Sequence, residues 1–278
     1  MMANSVEVLP TGVSQLVVAS FTSEHHQLRQ DFIAQEVPVA MIFNGISHAV
    51  MMASPADLED FALGFALTEG LLDAAQELYG VETRAVEAGM ELHMEVSSAC
   101  EWRLKERRRS LAGRTGCGLC GTDSLSQVRR NLLPVGPVRV SAQAVIKAEK
   151  DLRNWQHVQR LTGSTHAAAW VDLTGGILQV REDIGRHNAL DKLIGHLVRH
   201  KVNPASGFFC ITSRASFEMV QKAVVFGAGL LAAVSAPTCF AIEVAKENNL
   251  ALAGYVRDEK MVVYSFPERF CQSVLSTG

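Results

Sequence analysis

The sequence predicts a protein of the α/β class, in which a layered α/β/α domain follows a smaller α+β part. In the second half, helical patterns alternate with short, wholly apolar segments such as "GFFCI", and strands of that kind belong to a sheet covered on both faces. In the first half, strand patterns dominate and give way to a glycine-rich segment with two cysteines. The 278 residues are enough to give each part its own core.

The first part is predicted to follow a loose or edge-strand lead-in at residues 1–30. "EVPVAMIFNGISHAVMMA" predicts two strands around Asn44-Gly45, a dipeptide typical of hairpin turns. "MELHMEV" alternates strictly between apolar and polar residues, so Met90–Val96 is predicted to be a strand with His93 on its solvated face.

A helix is expected after the hairpin. Ser54 is expected to cap it and Pro55 to lie in its first turn. The helical spacing is carried by Leu58, Phe61, Ala62 and Phe65.

The second half predicts a series of elements up to the C-terminal strands. A helical pattern runs from about Ser141 to Leu161, and two strands then flank a Thr-Gly-Gly turn. The following segments predict helix, strand, helix, strand, helix and two strands in that order: "RHNALDKLIGHLVRH", "GFFCITS", "FEMVQKAVVFGAG", "LLAAVSA", "CFAIEVAKENN", "LALAGYV" and "MVVYSF". We therefore divide the chain into the lead-in at 1–30, an α+β part at 31–110, a flexible Cys-x-x-Cys loop at 111–126 and the layered α/β domain at 127–278.

Composition narrows the function classes. The formal net charge is −3, which argues against a general affinity for nucleic acid and makes any anion site local. No run approaches the roughly 20 apolar residues of a membrane span, and the N-terminus has no signal-peptide pattern. The six cysteines follow no disulfide spacing. We therefore expect a cytoplasmic protein with reduced thiols.

Cys117 and Cys120 form one Cys-x-x-Cys pair, for which several chemistries compete. A structural zinc site needs a second pair of ligands, and a deaminase-type zinc site needs a glutamate where Ala168 stands, two positions after His166. No metal is therefore expected. A thioredoxin-like dithiol belongs at a helix N-terminus, which the surrounding glycines disfavour. The remaining chemistry is that of a mobile sulfur carrier, in which a cysteine thiolate takes up sulfur as a persulfide. The alternative is that the two thiols have no chemical role.

A basic run precedes the two thiols. Such a run is often only the solvated face of a helix. Arg109 and Arg114 are nevertheless candidates to stabilise a thiolate or a phosphate, because nearby guanidinium groups lower a thiol pKa.

Two polar corners in the second half resemble ligand sites. "TSRASFEMVQK" leads from a strand end into a helix, where helix N–H groups and hydroxyls hold phosphate. Helix capping is the plainer interpretation of its serines. "REDIGRHNALDK" places a second cluster of polar residues at a strand-to-helix turn. The candidate residues are Ser213, Arg214 and Ser216 in the first corner, and Glu182, Asp183, Arg186, His187 and Asn188 in the second.

Five segments in order resemble one protein family: "EVPVAMIFNGISHAVMMASPADLEDFALGFALTEG", "LKERRRSLAGRTGCGLCG", "LTGSTHAAAW", "EDIGRHNALDK" and "TSRASFEMVQK". Together they are similar to the formate dehydrogenase accessory sulfurtransferases (FdhD). The resemblance implies a cytidine-deaminase-like layered α/β/α fold without the deaminase zinc site. It also implies a homodimer that takes sulfur from a cysteine desulfurase as a persulfide and delivers it to the molybdenum bis(molybdopterin guanine dinucleotide) cofactor before insertion into formate dehydrogenase apoenzyme.

The resemblance also assigns roles to residues. Cys117 matches the persulfide cysteine of the family, and Cys120 is its companion. The family's cofactor-binding stretch falls on Tyr255, Val256, Arg257, Asp258, Glu259 and Lys260. A cofactor-binding chaperone that transfers no sulfur is the alternative function.

Overall fold

The computed structural model describes residues 9–111 and 132–271, and gives the backbone alone for 107–111. The first part contains β1 (Val13–Phe21), β2 (His26–Ala34), β3 (Val37–Phe43), β4 (Ile46–Ala53), α1 (Leu58–Thr68), β5 (Leu78–Val86), β6 (Gly89–Val96) and α2 (Ser98–Leu111). The second part contains β7 (Val140–Ser141), α3 (Ala142–Trp155), α4 (His157–Thr162), β8 (His166–Asp172), β9 (Ile177–Asp183), α5 (Arg186–Arg199), β10 (Gly207–Ile211), α6 (Phe217–Phe226), β11 (Leu230–Ala233), α7 (Cys239–Glu247), β12 (Ala251–Arg257), β13 (Lys260–Ser265) and β14 (Phe270–Cys271).

A six-stranded mixed sheet organises the second part. Its strand order is β13-β12-β11-β10-β8-β9, and the central strands β10, β11 and β12 run parallel. Helix α3 packs on one face, and α5, α6 and α7 cover the other. β10 and β11 are buried at every position because both faces are covered. The predicted α/β class is confirmed, while the cytidine-deaminase-like topology stays a prediction.

A four-stranded sheet in the order β4-β3-β6-β5 organises the first part. The predicted hairpin turn is confirmed, with Asn44 and Gly45 both at positive φ, 44° and 77°. Strand β6 matches the predicted alternation, since Leu92, Met94 and Val96 are buried on one face with Cys100 and Leu104 of α2 below them.

Two expectations for the N-terminal region need correction. Residues 13–34 form a two-stranded antiparallel hairpin, so the boundary predicted after residue 30 falls inside β2. Ser54 does not cap α1, which begins after Asp57 without a side-chain cap. The Ser54 hydroxyl instead donates to Asp183, 129 residues away, at 2.8 Å. A buried carboxylate binds this hydroxyl strongly because a charged acceptor removed from water needs donors to replace its hydration.

Helix α1 joins the two parts by crossing α5 at close range. Gly64 and Gly195 make this crossing possible, because a Cβ at either position would overlap the backbone of the other helix. Buried charges reinforce the contact: Lys222 of α6 bonds to Asp191 of α5 and to Thr68 at the end of α1, both at 2.9 Å. Within the described residues, no helix combines the length and apolar character that a membrane crossing requires.

Candidate functional site

The carboxyl ends of the parallel strands meet at one edge of the large sheet. Thr212 follows β10 and Val234 follows β11, and both line a cavity of about 580 Å³. Ligands in open α/β sheets bind outside the carboxyl ends of the strands, and cavities of this size hold ligands as large as a nucleotide. This cavity is therefore the centre of the candidate site.

The other walls come from α3, α4 and the loop into β8. Glu182 holds the start of α4, since its carboxylate accepts hydrogen bonds from the backbone N–H of Val158 at 2.9 Å and of Gln159 at 2.8 Å. The Thr165 hydroxyl donates to the same carboxylate at 3.0 Å. Glu182, expected from sequence to touch the ligand, thus positions the cavity wall.

Two wall residues were not anticipated from the sequence. Glu149 and Gln156 each retain only 7% of their exposure, and the cationic group nearest to Glu149 is Arg153, at 3.9 Å. Burial raises the pKa of the Glu149 carboxyl, and the negative charge of Asp258 adds to this effect despite Arg153. Gln156 directly follows the end of α3, and only within the helix predicted from Ser141 to Leu161 does the seven-residue spacing of Glu149 and Gln156, two helical turns, pair the two positions.

The corner at the start of α5 brings together several of the predicted residues. The Nε2 atom of His187 lies 3.2 Å from the carboxylate of Glu218, to which the Ser216 hydroxyl donates at 3.0 Å. The close approach of His187 and the hydrogen bond from Ser216 lower the pKa of Glu218 to about 2, so this carboxylate is charged at physiological pH. The Nε atom of Arg186 is buried there without a partner among the described residues.

His166 connects this corner with the cavity, which it lines at the start of β8. Burial lowers the pKa of its imidazole, and the nearby Arg186 and His187 lower it further. His166 is therefore a neutral imidazole that can donate and accept hydrogen bonds. It lies at the edge of the large sheet, close to the positive charge of Arg186.

Asp183 lies below the corner and is completely buried. It accepts hydrogen bonds from the backbone N–H of Ser54 and of Gly185 and from the Asn188 amide, at 2.8–3.0 Å, and Lys192 approaches to 2.6 Å. Asp183 and Asn188 therefore support the corner and offer no surface to a ligand. Lys192, which the sequence did not single out, balances the Asp183 charge, and burial lowers its pKa.

The candidate residues in the loop before α6 differ in their exposure and in their hydrogen-bond partners. Ser213 is buried, and its hydroxyl donates to the backbone carbonyl of Arg214 at 3.0 Å, whereas the Arg214 side chain is exposed. Ser216 occupies the N-cap position of α6, but its hydroxyl serves Glu218 instead of the helix backbone.

The stretch Tyr255–Lys260 contains the end of β12, a two-residue turn and the start of β13. Asp258 and Glu259 take positive φ values of 51° and 57°, and Glu259 lies 3.9 Å from Lys150 of α3. Val256 is fully buried, so its side chain cannot contact a ligand. The negative charge of Asp258 raises the pKa of Glu149, which lines the cavity. The turn is therefore near the cavity.

Cys117, Cys120 and Arg114 lie outside the described residues, as does the side chain of Arg109. Of the described cysteines, Cys100 and Cys210 are buried, and burial raises the pKa of both thiols, that of Cys210 to about 12. Neither thiol forms a thiolate readily, which a sulfur nucleophile requires.

The chain is similar to a single family over most of its length. The model of the FdhD/NarQ family matches residues 34–271. The sulfur carrier protein FdhD of Variovorax paradoxus is 55% identical over 242 residues, which are 86% of this chain and 87% of that protein. The protein of the same name from Cupriavidus necator is 50% identical over 264 residues, covering 94% of this chain and 91% of the relative.

A solved structure shares the fold. It comes from Desulfotalea psychrophila, is described as that of a candidate formate dehydrogenase accessory protein, and matches with a TM-score of 0.72 over 93% of this chain and 99% of that chain. At 19% sequence identity, this likeness shows the common fold alone.

Proposed function

The chain belongs to the FdhD/NarQ family, and on this basis we propose that it is a sulfur carrier in the maturation of formate dehydrogenase. The single observation that carries the proposal is the identity of 50–55% with two sulfur carrier proteins over at least 86% of this chain. Cytoplasmic localisation and a homodimeric state are part of the same proposal.

Cys117 is the proposed carrier residue. Its thiolate attacks the terminal sulfur of a persulfide on a cysteine desulfurase, a new S–S bond forms, and the desulfurase thiolate leaves. The exchange needs no external oxidant or reductant, because one persulfide replaces another. Cys120 assists as a neighbouring thiol: its thiolate attacks the inner sulfur of the Cys117 persulfide, a Cys117–Cys120 disulfide forms, and hydrosulfide leaves to the acceptor.

The proposed acceptor is the molybdenum bis(molybdopterin guanine dinucleotide) cofactor, bound at the carboxyl edge of the large sheet as a substrate. The cavity beside His166 supports this placement, as do the arginines Arg153 and Arg160 in its wall and Arg186, whose charge acts on His166. Phosphate groups bind at such edges through guanidinium groups and helix N-termini. The Tyr255–Lys260 stretch contributes through Tyr255, Arg257 and Lys260, whose side chains are at the surface.

Mass spectrometry of the intact protein tests the carrier role. After incubation with a cysteine desulfurase and cysteine, wild type should gain about 32 Da per sulfur, and reduction should remove this mass. Cys117→Ala should gain nothing. Cys239→Ala, which removes an exposed thiol at the start of α7, is the matched control and should gain as wild type does. No gain in wild type with an active desulfurase would contradict the proposal.

A cofactor chaperone without sulfur transfer is the second candidate, and the cavity is the observation that favours it. Both functions require cofactor binding, but only transfer requires a thiol nucleophile. Cys117→Ala should abolish activation of formate dehydrogenase while it leaves cofactor affinity unchanged if the protein transfers sulfur. Full activation by Cys117→Ala would establish the chaperone function instead.

A further inference from the structure

The first two strands form a ribbon that is separate from both larger sheets. β1 and β2 pair along their full nine-residue lengths, and within residues 9–111 and 132–271 neither of them pairs with a third strand. The ribbon exposes Val17, Phe21 and Leu28 at 67–75%, although apolar side chains of this size are usually buried. The family match begins at residue 34 and therefore does not account for this ribbon.

The ribbon has little to stabilise it within its own chain. An isolated two-stranded ribbon is only marginally stable in water, because it covers too little apolar surface. Leu16 and Val17 point to opposite faces of the ribbon and are both more than half exposed, so the body of the protein covers neither face there. At the base, β2 contacts α4, which restricts access to the β2 edge. The edge of β1 is therefore the place where a further strand can be added.

This edge lacks the features by which proteins prevent pairing with another chain. Charged residues, prolines and bulges normally block such pairing. Among the described strands longer than two residues, every other edge strand has one of these features: charged residues lie in β2, β5, β9 and β13, and a bulge interrupts the pairing of β4. β1, "VSQLVVASF", contains no charged residue and no proline, and its register with β2 is continuous. Such a composition is typical of a strand that is paired on both sides.

The sequence of β1 is also complementary to itself. In an antiparallel pair of two β1 strands centred on Val17, this residue meets its own copy on a twofold axis. Ser14 then faces Ser20, and Val13 faces Phe21, a pair of a β-branched and an aromatic residue that stabilises sheets. The same pairing brings each apolar tip beside the base of the other ribbon, where that ribbon joins the body of its own copy.

We propose that β1 is the dimerisation surface of this protein and that its partner is β1 of a second copy. The two ribbons form one continuous sheet in the order β2-β1-β1-β2, with the twofold axis at Val17. Because each copy contributes the same strand, the interface closes as a dimer and does not propagate into a filament. The inference deepens the homodimeric state proposed above and rests on it, and Cys117 takes no part in it.

Analytical ultracentrifugation of the full chain tests the pairing. Wild type should sediment as a dimer. Val17→Lys brings two ammonium groups together on the axis, which should weaken dimerisation roughly a hundredfold. Circular dichroism of this variant should match wild type, because the Val17 side chain is exposed.

Gln30→Lys is the matched control. Gln30 is the cross-strand neighbour of Val17 on the same face of the ribbon, but it lies on β2. In the proposed sheet its side chain is three strand spacings from its copy, about 14 Å, which exceeds the screening length at physiological salt. This variant should remain as dimeric as wild type.

A mixture of oppositely charged variants tests the position of the axis. When Val17→Lys and Val17→Glu are mixed in equal amounts, the lysine of one copy meets the glutamate of the other. Native mass spectrometry should therefore show the mixed dimer in excess over both homodimers. A mixture that stays monomeric would contradict pairing about Val17.

The remaining outcomes separate the surface from the oligomeric state. A dimer that Val17→Lys does not weaken, or that Gln30→Lys weakens equally, would overturn pairing through the β1 edge and leave the homodimer intact. A monomeric wild type would overturn both, and the edge would then be open to a strand of another protein. The persulfide measurement on the same preparations shows independently whether the carrier role holds.

Discussion

Gly64 of α1 and Gly195 of α5 face each other at the crossing that joins the two parts of the molecule. A Cβ on Gly195 would lie 1.9 Å from the backbone oxygen of Asp60, and a Cβ on Gly64 would lie 1.8 Å from that of Asp191. No L-residue with a side chain fits either position without separation of the helices. The crossing matters for the site because the same helix α5 carries Arg186 and His187 at its start.

Gly195→Ala should therefore destabilise the protein by about 3 kcal/mol, the upper range for an overpacked core. Urea unfolding followed by circular dichroism measures the change. Gly80→Ala is the matched control, because a Cβ at Gly80 meets no atom within 4 Å. Equal unfolding free energies for the two variants would show that α1 and α5 separate at little cost.

The buried pair of Asp183 and Lys192 supports the second prediction. Lys192 is fully buried and donates to the backbone carbonyl of Ser54 at 2.9 Å as well as pairing with Asp183 at 2.6 Å. Lys192→Met leaves the Asp183 charge buried without its counter-ion, which should cost about 3–5 kcal/mol in unfolding free energy. Lys150→Met, at a position that is 74% exposed, should change stability little.

A double-mutant cycle checks the cause of that loss. Asp183→Asn combined with Lys192→Met should lose less than the sum of the two single variants, because the double variant buries no unpaired charge. Additive losses would mean that packing of the lysine stem, not the ion pair, determines the effect.

These interactions show which features local sequence can reveal. The turn at Asn44-Gly45 was predictable because its positive φ values depend on the dipeptide itself. Ser54 was misassigned as a helix cap because its partner Asp183 is 129 residues away, and no local pattern records such a distance. The burial of Glu149 and Gln156 depends on tertiary packing, which the polar character of the two residues does not indicate.

Glu218 gives a prediction about pH. Its pKa is lowered to about 2 by His187 and Ser216, whereas an unfolded glutamate titrates near pH 4.3. A carboxyl group whose pKa is lower in the folded protein stabilises that state when the pH is above its pKa in the unfolded protein. This contribution disappears as the pH falls through its pKa in the folded protein. Stability from Glu218 should therefore be present at pH 5 and vanish towards pH 2.

Urea unfolding of wild type and Glu218→Gln between pH 5.5 and pH 2.5 measures this contribution. Solvent screening reduces it because the side chain is 38% exposed, and we expect a difference of about 1 kcal/mol at pH 5 that shrinks with acidification. A difference that stays constant across this range would show that Glu218 acts through neutral hydrogen bonds, without its charge.

Glu149 should show the opposite dependence, because burial raises the pKa of its carboxyl. A raised carboxyl pKa favours the folded state at pH values below the unfolded pKa, and this advantage is lost as the pH rises through the folded value. Glu149→Gln removes the buried charge, so it should stabilise the protein without ligand by about 1 kcal/mol at pH 8 and by less at pH 4. Thermal unfolding at the two pH values measures the change, with Asp151→Asn as the control on the same helix. A destabilised Glu149→Gln at pH 8 would mean that the carboxylate is stabilised by partners within the protein, so that its charge does not oppose folding.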